Sequence, residues 1–281
     1  RSFVLVALAV FLASKNARQT TFIFTNVLGQ IGLGYTFLFL LAGRGWKIHL
    51  GALAGIAVLS WAAFANHPLP PADYDYTKVG VKAAELNGVV LPGFFAHWNK
   101  SASFAFNFDL WFLNLFPGGR PFYFSPGGYA TLNFVPSLIT MILGLMVGER
   151  LRGGGDLRAK LVWMLKVGAA CFAIGLLLGW FVCPIVKRIW TPSWALYSGG
   201  IVIGMLAAIF WMVEIRGWKK WTAPFVIVGM NSIAIYVMDQ LLPGWIVATL
   251  KTHIGQDIFS GAFGAIWQRC AVLLVLWLAC W

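Results

Sequence analysis

Charge is scarce in this chain. Of 281 residues only 11% are Asp, Glu, Lys or Arg, and nine are acidic, whereas soluble domains carry roughly 25% charged residues. That scarcity excludes an ordinary water-exposed surface. The four cysteines, Cys171, Cys183, Cys270 and Cys280, lie in or at the ends of apolar runs without CxxC spacing. The pattern argues against a disulfide framework and against a metal site, so no metal is expected. No Walker loop, no GxGxxG and no repeat of fixed period is present, and the "RGGGD" at Arg152–Asp156 reads as a flexible turn.

Apolar residues are abundant instead: 60% of the chain, with 15 Trp and a mean hydropathy of +0.79. This is the composition of a polytopic membrane protein. A bilayer crossing needs about 20 apolar residues at 1.5 Å rise, and such runs occupy roughly 22–42, 47–65, 131–149, 159–183, 190–213 and 221–241. Two further runs, 2–14 and 265–281, stop short at the ends of the sequence. They read as cut spans, so the chain is expected to be a fragment of a longer protein lacking its N-terminal spans and its C-terminal end. The expected fold is all-α, a single transmembrane bundle over 1–281 with about eight spans, and the expected partner is the lipid bilayer.

The net charge of +12 would suggest nucleic acid in a soluble protein. Here the basic residues sit in short loops between spans, where they set topology, so no nucleic-acid partner is expected. One set of loops holds Arg1, Arg44, Lys47, Arg150, Arg152, Arg158, Lys160, Arg216, Lys219 and Lys220; the other holds Lys15, Arg18, Lys187, Arg188 and Lys251. The richer set is assigned to the cytoplasm. The long connection 66–130 then faces outward, with Lys78, Lys82, Lys100 and Arg120 offset by Asp73, Asp75, Glu85 and Asp109. Its stretch "LPGFFAHWNKSASFAFNFDLWFLNLFPGG" is too aromatic for a disordered linker and suits the membrane interface.

Polar side chains inside apolar runs are costly, and those sharing a helical face point into the bundle or a wet cavity. In "GMNSIAIYVMDQ", Ser232, Tyr236 and Asp239 share a face beside Asn231; in "NFVPSLITMILGLMVGE", Asn133, Ser137, Thr140 and Gly144 do so. Asn26 and Gln30 are paired at i, i+4, while Thr191, Ser193, Tyr197 and Ser198 open another run. Asn231, Ser232, Asn26, Gln30 and Asp239 are the candidate cavity residues and oxyanion donors. A structural role as helix-helix glue competes with this reading, as does simple close packing at Gly144/Gly148 and Gly200/Gly204. Among the histidines, His49 reads as interfacial, His67 as part of a proline-rich turn and His253 as a loop residue. His97, followed by Asn99 and Lys100, is the candidate for a site.

The order "NVLGQIGLGY", "TLNFVPSLITMILGLMVGE", "CPIVKRIWTPSWALYSGG" and "GMNSIAIYVMDQ" resembles the heparan-alpha-glucosaminide N-acetyltransferase family and its bacterial relatives, from Arg1 to about residue 245. The most specific pieces are Pro184, Lys187, Trp190 and Ser193, and the Gly-Met-Asn-Ser of Gly229–Ser232. The resemblance implies a multi-span acyltransferase taking an acetyl group from acetyl-CoA in the cytoplasm to an amino sugar outside. It also implies that the catalytic histidine lies upstream of Arg1, leaving the catalytic residue unknown here. The chain departs from the family at Gly29 and Gln30, where Gln-Arg is common, at Val186, where Asn is, and at Ser125–Gly128, where Asp-Pro-Glu-Gly is.

Acyl transfer needs a base, oxyanion donors and a place for the thioester. Lys187, Trp190, Ser193, His97 and Asn99 are the acceptor-binding candidates, and the cytoplasmic basic residues are available to a CoA phosphate. The expected function is transfer of acetyl to an amino sugar or cell-envelope glycan in a bacterial inner membrane, as a single chain or a homo-oligomer. The alternatives are a carrier for a lipid-linked sugar or small solute, or a catalytically silent membrane protein. A carrier is expected to show broken helices, and the sequence displays none.

Overall fold

A computed structural model describes residues 1–117 and 121–281, without the side chains of Glu85 and Val89. Arg120 and the Glu85 side chain, part of the charge balance above, lie outside the described residues. Those residues form helices and connections with no strand. The α-helices are α1 (Ser2–Ser14), α2 (Val27–Leu41), α3 (Trp46–Ala65), α4 (Leu86–Val89), α5 (Phe104–Phe112), α6 (Phe134–Arg152), α7 (Leu157–Phe181), α8 (Pro192–Phe210), α9 (Ala223–Met230), α10 (Ser232–Leu241), α11 (Pro243–Ile254) and α12 (Gly264–Cys280). A π-helical turn, Trp211–Ile215, extends α8.

Among the described residues four helices are long and apolar enough to cross a membrane: α3, α6 with the turn before it, α7, and α8 with its π extension. A fifth follows if the bent pair α9 and α10 counts as one span. The chain is a membrane protein by these helices. Several of the expected eight runs yield shorter elements. Helices α1, α2 and α12 have 13, 15 and 17 residues, below the ~20 needed for a hydrocarbon core about 30 Å thick. The run 22–42 loses its first turn because Asn26 is extended and caps α2, accepting a hydrogen bond from Gly29 N at 2.9 Å. The run 221–241 is bent by 70° around Asn231.

Where the sequence reads as one membrane domain, the chain packs as two compact units, Arg1–Ile215 and Arg216–Trp281. In the first, α6 touches α2, α3, α7 and α8, and its Ile139 and Ile142 are wholly buried. Lipid accounts for the opposite faces: Trp180, Phe181, Val58 and Leu59 remain exposed, far more apolar surface than a water-soluble body leaves open. Helices α7 and α8 pack backbone to backbone. A methyl group on Gly200 would lie 2.5 Å from Phe172 N, and one on Gly175 would run into Tyr197 N, so only glycine fits at either position. Gly144, Gly148 and Gly204, expected to share that role, face open space.

The connection 66–130 is ordered by its aromatic residues. Trp98 is buried and stacks on Phe64 of α3 with ring centroids 6.3 Å apart. Phe64, Trp98, Ala105, Ala130, Cys183 and Ile189 form one apolar cluster that closes this end of the first unit. In the second unit, Ile246, Val272 and Leu276 make the core of α11 and α12, and Trp277 Nε1 donates to Pro224 O at 3.0 Å.

Candidate functional site

Four residues, Ala130–Asn133, form the spine of a buried polar seam at that end. They follow an extended stretch and lead into α6. Three separate parts of the first unit bond to them. From α2, Gln30 Nε2 donates to Ala130 O at 3.4 Å and to Phe24 O at 3.1 Å. From α5, both carboxylate oxygens of Asp109 accept the Thr131 N–H, at 3.2 and 2.9 Å. From the connection between α7 and α8, Arg188 O accepts from Asn133 Nδ2 at 2.6 Å.

Several buried polar atoms along the seam have no hydrogen-bond partner: Gln30 Oε1, Thr131 Oγ1, Asn133 Oδ1 and Arg188 Nη1. Such atoms are costly to bury unpaired, so the seam combines two open amide acceptors and a hydroxyl with one cationic donor. The Gln30 orientation is fixed by its two carbonyl neighbours, which demand the NH₂ on their side. What remains open on Gln30 is therefore an acceptor, unlike the donor role expected of it.

Asp109 is the acidic group of the site. It is 1% exposed, and burial pushes its carboxyl up from the ordinary 3.8 to about 6, against the lowering effect of the Thr131 N–H. A recess with space for about one water molecule opens beside it, lined by Ser101, Ser103, Ser125, Tyr129 and Ile189. A carboxyl titrating near neutrality in such a recess has the proton affinity that general-base work asks for. The sequence marked Asp109 only as a counter-charge in a loop. Its one signal was an acid in the otherwise aromatic and amide-bearing helix "FAFNFDLWF".

Most of the other expected site residues are engaged structurally. Asn26 uses its carbonyl as the α2 cap and its NH₂ on Ala9 O at 2.9 Å. Ser193 is wholly buried and donates to Pro184 O at 2.8 Å, beside Thr191, which caps α8. That placement closes it to an acceptor. Asn99 is equally closed, accepting from Leu91 N at 2.7 Å and donating to Tyr76 Oη at 2.9 Å and Leu91 O at 3.2 Å. Trp190 is half-buried, with its Nε1 donating to Thr140 Oγ1 at 3.1 Å. Its φ of +53° is the left-handed conformation that bulky residues rarely adopt.

Two residues stay open. Lys187 is exposed at the tip of the same turn. His97 sits against Phe94 and Trp98 with Nδ1 buried and unbonded, and nearby His67 has its pKa lowered by burial first and by the proximity of His97 second.

The opposite end of the first unit carries Arg150, Arg152 and Arg158 exposed. Lys160 differs. It is buried, and its Nζ donates to Leu151 O at 2.9 Å and Gly153 O at 2.5 Å, closing the C-terminus of α6. In the second unit Asn231 occupies the 70° break, where its Nδ2 donates to Ile227 O at 3.1 Å and Cys280 O at 3.3 Å. Ser232 is exposed just after it. Asp239 lies 3.9 Å from Arg269 of α12, a partner the sequence reading did not name. No group of three or more potential metal ligands occurs among the described residues. No family model, curated protein or solved structure matches the chain.

Proposed function

We propose that the chain is an integral-membrane acyltransferase that moves an acetyl group from acetyl-CoA to an amino sugar or cell-envelope glycan. The observation that carries this reading is the meeting, at one seam, of three stretches that resemble one acyltransferase family. Gln30 of the first bonds to Ala130 beside the second, and Asn133 of the second bonds to Arg188 of the third. Asp109 is the base that takes the proton from the acceptor nitrogen or hydroxyl. Arg188, with its open Nη1, steadies the oxyanion formed when the thioester carbonyl is attacked; its collapse breaks the C–S bond, and the departing coenzyme A thiolate takes the proton that Asp109 accepted. Lys187 draws in an anionic acceptor, and the exposed arginines at the far end hold the donor's phosphates. About eight spans of a bacterial inner membrane, with the seam outside and the arginines in the cytoplasm, complete the reading.

The test is transfer of radiolabel from acetyl-CoA to a panel of amino sugars and envelope glycans by membranes containing the protein. Lys187→Ala, Asn231→Ala and Asp109→Asn are each expected to lower transfer at least tenfold at unchanged protein level. No transfer to any acceptor, with saturable solute binding instead, would overturn the acyltransferase. The second reading, a solute carrier, draws on the break at Asn231, since discontinuous spans are typical of carriers.

A further inference from the structure

The end of the first unit away from the seam holds a second buried polar arrangement, independent of the acyltransferase reading. His49, in the first turn of α3, is wholly buried. Its Nε2 lies 2.7 Å from Leu41 O at the end of α2. A carbonyl oxygen only accepts, so Nε2 carries a hydrogen and the neutral ring presents a bare lone pair at Nδ1. That Nδ1 is buried without a hydrogen bond and lies 3.6 Å from Glu149 Oε2 of α6. The other carboxylate oxygen, Oε1, accepts from Gly43 N at 2.9 Å.

Two acceptors facing each other across 3.6 Å, the imidazole nitrogen buried and the carboxylate part-exposed, repel unless a proton lies between them. Glu149 is 36% exposed, so a proton can reach the pair from solvent. The other ionisable side chains of the first unit at this end are Arg44 in the α2–α3 turn, Lys47 in α3, Arg150 and Arg152 in α6, Asp156 at the cap of α7, Arg158 and Lys160 in α7, and Glu214 after α8. Lys160 is held on Leu151 O and Gly153 O, and Lys47 Nζ stands over Trp46 at 5.8 Å.

We propose that His49 and Glu149 together form a binding site for one proton, which pins the α2–α3 turn to α6. With the proton bound, Leu41 O, His49, Glu149 and Gly43 N make one closed chain of hydrogen bonds. Without it, Nδ1 and the carboxylate oppose each other, and the Gly43 bond is what still joins the turn to Glu149, while Nε2 keeps its hydrogen on Leu41 O.

The experiment is ¹⁵N NMR of ring-labelled histidine in the full chain in lipid nanodiscs across a pH series, with His49→Gln to assign the signal. Nε2 is expected to stay protonated at every pH while Nδ1 gains a proton as pH falls. In Glu149→Gln the pH response of the His49 ring nitrogens is expected to change, with the signals of His67, His97 and His253 unmoved. A ring protonated on Nδ1 instead of Nε2, or a His49 response identical in Glu149→Gln, overturns the proposal. Should that variant fail to fold, hydrogen exchange at the Gly43 and Arg44 amides of the unmodified chain decides: protection is expected to fall at the pH where Nδ1 loses its proton, and exchange that is flat with pH refutes the clamp.

Discussion

Asp109 and Thr131 stand 22 positions apart, and a single backbone N–H of Thr131 bridges both oxygens of the Asp109 carboxylate, at 3.2 and 2.9 Å. The bond only partly offsets burial, so the carboxyl titrates near 6. A folded-state pKa above the ordinary one means that protonation favours the fold. The contribution is whole below about pH 4 and is lost as pH rises through about 6, on the order of 3 kcal/mol in all. Thermal unfolding in detergent is therefore expected to show a midpoint that declines over that window. Asp109→Asn keeps an acceptor for Thr131 N–H and is expected to flatten the decline; equal slopes for the two proteins would contradict the assignment.

The contact between α7 and α8 makes a second, purely steric prediction. Gly200→Ala places a methyl group 2.5 Å from Phe172 N, and overpacking of this kind costs about 1–3 kcal/mol. Gly204→Ala, which meets open space, is expected to leave the unfolding midpoint within a degree or two. Size-exclusion profiles and unfolding midpoints of the pair separate a contact seam from a general intolerance of side chains in α8.

Lys160 is expected to matter for the fold and not for the donor. Lys160→Met strips the α6 terminus of two charge-assisted hydrogen bonds, each worth about 1.5–3 kcal/mol, and should lower stability measurably. Affinity for coenzyme A, read by calorimetry on the folded fraction, should change little in that variant. It should weaken severalfold when Arg150 and Arg152 are replaced together. The reverse pattern would return Lys160 to the donor site.

The Asp239–Arg269 pair offers a double-mutant cycle. At 3.9 Å and partly exposed, the pair is expected to show a coupling of about 0.5–1 kcal/mol. Asp239→Asn and Arg269→Gln should each destabilise, and the double variant should lose less than their sum. Strict additivity would leave Asp239 without a structural partner and restore it as a cavity residue.

Helices were legible where hydrophobic runs and caps coincide. Runs 47–65, 131–149 and 159–183 became α3, α6 and α7 because nothing inside them competes with the helical backbone. Asn26 was visible as a polar residue opening a run, but not as the cap that shortens it. The break at Asn231 was missed because Asn231 and Ser232 were read as part of a polar helical face and not, with Gly229, as the site of a bend. It depends on Cys280 O, 49 residues later, taking one of the amide's hydrogens.

Site chemistry was less legible for a related reason. Spacing along a helix says which side chains share a face, not which of them have already found partners. Asn99, Ser193 and Asn26 looked available and are spent on backbone groups. Asp109 looked like a solvated counter-charge and is buried, because the amide that receives it arrives from a distant part of the chain. Lys187 kept its exposure because it sits at the tip of a turn whose other residues face inward.

The Ala130–Asn133 spine ties the start of α2, the aromatic helix α5 and the turn carrying Lys187 to four consecutive residues. None of the three can shift without dragging the root of α6, and α6 runs on to Glu149 at the far end, about 24 Å away at 1.5 Å per residue. The four residues are thus a shared anchor: one short segment holds three distant parts of the first unit and the helix that reaches Glu149.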